Sequence, residues 1–169
     1  MALQIDIPSS SQDSIDIDKI SAGKFHSLFL DSTGRRLYSC GSNAYGQLGN
    51  QTCFDKHSST PKEVYLEFDT SEGKPVANPV ISEIACGEYH NFVLTADGDV
   101  YAWGRNMSGE LGIGNTGDHL ECIAFPIKMD VLKGINILRE REGEEPFVKA
   151  TVHRLAGGAS FSAIIATLV

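Results

Sequence analysis

The feature that most constrains this chain is that it repeats itself. Ile20-Ser21-Ala22-Gly23-Lys24-Phe25-His26 lies over Ile84-Ala85-Cys86-Gly87-Glu88-Tyr89-His90, and the match continues with Leu30 over Leu94 and Gly34 over Gly98. After a one-residue slip, Gly41, Asn43, Gly46, Leu48 and Gly49 meet Gly104, Asn106, Gly109, Leu111 and Gly112. A third start appears at Leu155-Ala156-Gly157-Gly158-Ala159-Ser160-Phe161-Ser162, where Gly158 takes the place of Gly87 and Phe161 that of His90. Such a period means that one supersecondary unit recurs and that each copy buries its faces against its neighbours.

Inside each unit the pattern is short and strand-like. Ser27-Leu28-Phe29-Leu30 and Asn91-Phe92-Val93-Leu94 are apolar, Thr33-Gly34 and Asp97-Gly98 mark tight turns, and Leu37-Tyr38-Ser39-Cys40 and Val100-Tyr101-Ala102-Trp103 return, so each unit contains a β-hairpin. Pro61 and Pro126 open matching outer strands, where a missing N–H is tolerated at a sheet edge. With the Val80–Cys86 type of strand this makes about four strands per unit, the composition of a propeller blade.

The pattern Ala-x-Gly-x-x-His-Ser/Asn, a glycine turn, then Tyr-x-Trp/Cys-Gly-x-Asn-x-x-Gly-x-Leu-Gly resembles the repeat of the regulator of chromosome condensation family. Two nearly complete copies, residues 17–68 and 81–131, and a third from about residue 148 bring most of the chain under the resemblance. The family closes a seven-bladed ring, whereas this chain has repeats for about two and a third blades. The expected fold is therefore all-β: a partial β-propeller of four-stranded antiparallel blades, two blades plus the start of a third, not a closed ring on its own. The expected divisions are a flexible lead-in over 1–16, a first repeat over 17–80, a second over 81–147 with an acidic loop at 139–145, and a third start over 148–169. Uncovered end faces predict self-association, a tightly bound partner, or missing blades from a longer chain.

Most marked residues read as framework. Gly23, Gly34, Gly41, Gly46, Gly49, Gly87, Gly98, Gly104, Gly109, Gly112 and Gly158 recur in register with turns and strand ends, where the backbone needs positive φ or close approach. His26 and His90 occupy identical repeat positions, which suits a ring that staples strands by hydrogen bonding better than a general base or pH sensor, and Phe161 replacing it points the same way. Trp103, matched by Cys40, reads as packing between blades rather than as a ligand stack. Arg139, Glu140, Arg141, Glu142, Glu144 and Glu145 form a solvated loop tip and the candidate partner-contact loop, because propeller loops project from rigid blades.

Chemistry is harder to find. Gly112-Ile113-Gly114-Asn115-Thr116-Gly117 spells a dinucleotide fingerprint, but no helix follows to receive a pyrophosphate. Cys53, His57, His119 and Cys122 fall in equivalent loops and would converge on zinc only if adjacent blades present them side by side; their spacing is not a zinc signature. No catalytic arrangement and no cofactor site can be argued from spacing. Twenty-two acidic against fourteen basic residues give a net charge of -8, without a basic stripe for direct nucleic-acid binding. No export signal and no apolar stretch near the roughly 20 residues of a membrane helix is present, so a cytoplasmic or nuclear address and four reduced thiols, Cys40, Cys53, Cys86 and Cys122, are expected. The function these features predict is a non-enzymatic protein–protein interaction module. The alternative, implied by the resemblance to the family's founding member, is guanine-nucleotide exchange on a Ran-like small GTPase, for which no exchange residue can be carried over.

Overall fold

The computed structural model of the protein describes residues 15–69, 71–113, 121–132, 139–140 and 142–169. The lead-in expected over 1–16 lies outside these residues except for its last two, as do Arg141, His119 and the 114–117 part of the dinucleotide-like run.

Among the described residues, ten strands form three antiparallel sheets. The first holds β1 (Ile17–Ala22), β2 (His26–Asp31), β3 (Leu37–Asn43) and β4 (Asp55–Val64) in sequence order; the second holds β5 (Ile81–Cys86), β6 (His90–Thr95), β7 (Val100–Arg105) and β8 (Cys122–Lys128), also in sequence order. A third unit is the hairpin of β9 (Ala150–Gly157) and β10 (Ser162–Leu168). The chain is all-β and open, as the repeat implied, apart from a helical turn at Arg139, Glu140 and Glu142.

The turns show how similar sequence makes similar structure by different contacts. In the first unit Asp31 Oδ1 accepts the backbone N–H groups of Arg35 (3.0 Å) and Arg36 (2.9 Å), and Thr33 Oγ1 donates to Asp31 Oδ2 at 2.6 Å. In the second, Thr95 Oγ1 accepts Asp99 N–H at 3.1 Å. Asn78 ties down the crossing between the two sheets, accepting from Leu66 N–H (2.8 Å) and donating to Val64 O (2.9 Å).

Side chains alternate across each strand, so successive residues face different neighbours. On β6, Asn91 and Val93 face the first sheet while His90, Phe92 and Leu94 face the third unit; every residue of this strand is buried. The core runs through both junctions, from Leu28, Leu30, Leu37 and Val64 past Trp103, Tyr101 and Phe92 to Val152, with Leu155 and Ile164 packed against it. Each fully buried side chain of this size contributes about 1.5–3 kcal/mol, so the stack of sheets is held chiefly by its interior faces. On β10 only alternate residues are covered, and outward-facing Ile165 is 62% exposed. The other end differs from the expectation of an uncovered face: Ile20 on the outer face of the first sheet is 66% exposed, yet its cross-strand neighbours Phe29 and Tyr38 are buried.

Candidate partner-binding face

Because the strands alternate in direction, the connections β1–β2, β3–β4, β5–β6, β7–β8 and β9–β10 gather at one end of the molecule, and the remaining connections at the other. The first end is built from the repeat motif itself. In Asn-x-x-Gly-x-Leu-Gly, the asparagine side chain accepts the leucine N–H, Asn43 from Leu48 at 3.0 Å and Asn106 from Leu111 at 3.2 Å. The residue before the leucine closes the turn, Gln47 Oε1 accepting Tyr45 N–H (2.7 Å) and Glu110 Oε2 accepting Ser108 N–H (2.8 Å). Gly46, Gly49, Gly109 and Gly112 supply the positive φ of these turns, Gly34 and Gly98 that of the opposite hairpins, and Gly41 and Gly104 that of the strand ends.

The histidines reach across the junctions. His26 Nε2 lies 2.8 Å from Asn91 Oδ1, and Asn91 Nδ2 in turn donates to Gln47 O at 2.8 Å. One junction further, His90 Nε2 lies 2.9 Å from Ser162 Oγ, which donates to Glu110 O at 2.8 Å. An amide oxygen can only accept, and the serine proton is committed to Glu110, so both imidazoles donate from Nε2; their Nδ1 atoms are buried without a hydrogen-bond partner, an environment that favours the neutral ring over the imidazolium. Burial holds both histidines below the ordinary value of 6.5. Gly23 and Gly87 exist to admit these rings: a Cβ at Gly87 would collide with His90 and lie 2.7 Å from Gly158 O. Phe161 packs on Gly158 in the same way. Trp103 is fully buried, donates to Gln47 O at 3.0 Å and touches Gly49.

What these framework contacts present to solvent is a cluster of aromatic rings and cations that spacing did not reveal. Tyr45 packs edge-on against Tyr89 (centroids 5.1 Å apart) and Phe25 lies 6.2 Å from Tyr89. The Arg105 guanidinium sits 5.7 Å from both tyrosine rings, and Lys24 Nζ sits 5.6 Å from Phe25 and 5.4 Å from Tyr89. Below Arg105 lies the buried carboxylate of Glu110, 3.3 Å from Nε, and Lys24 pairs with Glu88, which raises the lysine pKa. Phe25 and Met107 stay more than half exposed, at 59% and 54%. The only sequence signal was that an aromatic residue precedes His26 and His90 alike.

The acidic loop lies at the opposite end and is folded on itself. Arg139 donates through Nε to Glu145 O (2.6 Å), pairs with Glu144 (2.7 Å) and stacks over Phe147 (4.2 Å), while Glu140 accepts Gly143 N–H at 3.2 Å and Glu142 is exposed. The reading of four reduced thiols is corrected: Cys53 and Cys122 are joined as a disulfide, leaving Cys40 and Cys86 free. Neighbouring sheets do set the equivalent loops of these two cysteines side by side, the condition for their convergence, and the pair, 69 residues apart, forms a disulfide. His57 is exposed, and among the described residues no three metal-ligating groups converge. Nor is any described helix long and apolar enough to cross a membrane.

Four-stranded antiparallel sheets stacked through one recurring cross-junction contact define an arc of a β-propeller. The chain belongs to the regulator of chromosome condensation (RCC1) repeat family, whose repeat matches residues 36–94 and 97–165, with a second description of the same repeat matching 17–47 and 81–110. It is 31% identical over 144 residues to the ultraviolet-B receptor UVR8 of Arabidopsis thaliana, covering 83% of this chain and 29% of that protein. Against the human RCC1-like G exchanging factor-like protein it is 28% identical over 141 residues, covering 82% of this chain and 27% of that one. The fold superposes on yeast RCC1 (Prp20), solved bound to Kap60, with a TM-score of 0.68 at 19% identity over 98% of this chain and 32% of that one. The chain thus spans under a third of the length of these relatives.

Proposed function

We propose that the chain is a non-enzymatic protein–protein interaction module of the cytoplasm or nucleus that engages a protein partner through the face carrying Lys24, Phe25, Tyr45, Tyr89 and Arg105. The observation that carries this reading is the aromatic and cationic cluster, with Lys24 and Phe25 exposed and Tyr45, Tyr89 and Arg105 half-buried behind them, seated on loops whose backbone is pinned by the repeat motif. Aromatic residues and arginine on a rigid support are the side chains that dominate protein interfaces. On this reading His26, His90, Trp103 and the repeat glycines are framework, and the loop from Arg139 to Glu145 is a secondary contact at the opposite end. Quantitative affinity capture with the wild-type chain and with Phe25→Ala, Tyr89→Ala and Arg105→Ala tests it. Specific partners are expected to be lost from all three variants while each keeps its fold, and retention of every partner by folded variants sinks the reading.

A second reading, regulation of nucleotide exchange on a Ran-like small GTPase, draws support from the relative named as G exchanging factor-like. Nucleotide release from a panel of small GTPases separates the two. Sustained acceleration at substoichiometric amounts of this chain favours exchange, and release at the intrinsic rate favours the interaction module.

A further inference from the structure

Cys53 and Cys122 come from different sheets, yet their Cα atoms lie 6.5 Å apart and their sulfurs are joined. Cys53 stands between Gln51 and Phe54, two non-glycine residues with φ of 68° and 58°. Side chains rarely adopt that backbone, and it persists where the surroundings over-determine it. Further contacts hold the same loop to the second sheet: Gln47 O accepts from Asn91 and Trp103, Gln51 N–H donates to Ala124 O at 2.8 Å, and Gly46 lies so close to Ala124 and Cys122 that a Cβ would meet Ala124 Cα at 2.8 Å. The loop starts at Tyr45, which packs on Tyr89, and ends at Phe54, which is 73% exposed. The bridge therefore fixes one edge of the partner-binding face.

The cysteines divide into two kinds. Cys86 is buried with its thiol pushed up to about 11, and burial also raises Cys40. Neither forms a thiolate readily, so both are poor nucleophiles. Cys53 and Cys122 are only half-buried and face each other at bonding range.

We propose that Cys53 and Cys122 form a reversible thiol–disulfide site that locks the β3–β4 loop of the first sheet to the start of β8 in the second. With glutathione as the couple, one protein thiolate attacks a sulfur of glutathione disulfide, forming a mixed disulfide and expelling one glutathione thiolate. The second protein thiolate then displaces the other glutathione. Two protein thiols are oxidised to one disulfide, one glutathione disulfide is reduced to two glutathiones, and the two protons lost by the protein end on the glutathione thiols. Reduction runs the same steps backwards and removes the covalent tie: the start of the loop stays held by Asn91 and Trp103 on Gln47 O, and its 50–54 end, which keeps the Gln51–Ala124 bond, gains freedom to relax at Gln51 and Phe54. Only the consequence for partner binding rests on the interaction reading above.

The test equilibrates the full chain in buffers of varied glutathione to glutathione disulfide ratio, followed by acid quench, alkylation after unfolding and peptide mapping, with hydrogen exchange on the end states. One intramolecular Cys53–Cys122 bridge is expected under oxidising conditions, opened by excess glutathione, with Cys40 and Cys86 alkylated throughout. Amides of residues 50–54 and 121–124 are expected to exchange at least about tenfold faster in the reduced chain and in Cys53→Ser and Cys122→Ser, while β6 keeps its protection and so reports an intact fold. Failure to form the bridge with glutathione disulfide, a bridge that excess glutathione leaves closed, or equal exchange in the end states overturns the proposal. Neither readout involves a partner, so failure of the interaction reading leaves this result intact, and failure here leaves that reading intact.

Discussion

The two junctions of the molecule follow one rule with unequal strength. Both carry the same relay, from a histidine to the residue that follows the equivalent repeat position in the next unit and on to a turn carbonyl: His26, Asn91 and Gln47 at the first junction, His90, Ser162 and Glu110 at the second. The first junction adds the Trp103 indole on Gln47 O, the Gln51–Ala124 bond, the Lys24–Glu88 pair and the disulfide. The second adds a bond from Leu155 N–H to Glu83 and a long Arg154–Glu83 pair of 3.6 Å with the arginine 74% exposed. Repetition thus sets the geometry of a junction, and the residues between the repeated ones set its strength. The third unit is expected to open first.

The sharpest way to break this comparison is at the stronger junction. Trp103→Ala removes a fully buried ring and its hydrogen bond, and is expected to destabilise the whole fold by about 3–5 kcal/mol in urea unfolding. A loss under about 1 kcal/mol would mean that the junction does not depend on it. The histidines come next. His26→Ala and His90→Ala are each expected to cost about 1–3 kcal/mol, because Asn91 Oδ1 keeps only the weak Cys86 thiol as donor and Ser162 Oγ loses its ring donor. Hydrogen exchange should show His90→Ala releasing β9 and β10 while β2 and β6 stay protected. Uniform loosening would show that the two junctions are one cooperative unit.

Acid should act on both junctions together. The folded pKa of each histidine is depressed by burial, so as pH falls the unfolded chain takes up protons first. The stability supplied by the neutral rings is complete above the unfolded value of 6.5 and is lost as pH falls through it toward the folded values. The urea midpoint is expected to be lower at about pH 5 than at pH 7.5, with a shallower fall in the His26→Gln, His90→Gln double variant. An unchanged slope in that variant would assign the acid sensitivity to other groups. The smallest effects belong to the periphery. Arg154→Ala, and separately a glycine linker in place of residues 139–145, are each expected to stay within about 0.5 kcal/mol of wild type, since both alter exposed ion pairs. A fold that collapses on shortening the loop would show that its Arg139–Phe147 stack is a packed element.

Much of the fold was legible because the repeat fixes glycine, asparagine and histidine in register with turns and strand ends, and a residue such as Asn43 does its work within nine positions of itself. What crosses between units was not. The disulfide, the Tyr45–Arg105–Tyr89 stack and the Glu110 carboxylate beneath it join loops of different sheets, and no local spacing encodes how far one sheet is rotated on the next. The buried Phe29 and Tyr38 on the outer face of the first sheet were illegible for the same reason: alternation tells which face a side chain takes and not what lies over it.

The relay also has a direction. At each junction one unit gives a ring N–H forward and the next receives it at the residue after its own histidine position, so the units join in one orientation only, like links with a hook at one end and an eye at the other. The third unit has the eye, Ser162, but Phe161 stands where the hook should be, and a phenyl ring has no proton to give. The relay therefore stops at Phe161, and what the third unit offers in its place is mixed: exposed Phe161 and Ile165 beside the exposed hydrogen-bonded pair of His153 and Thr167.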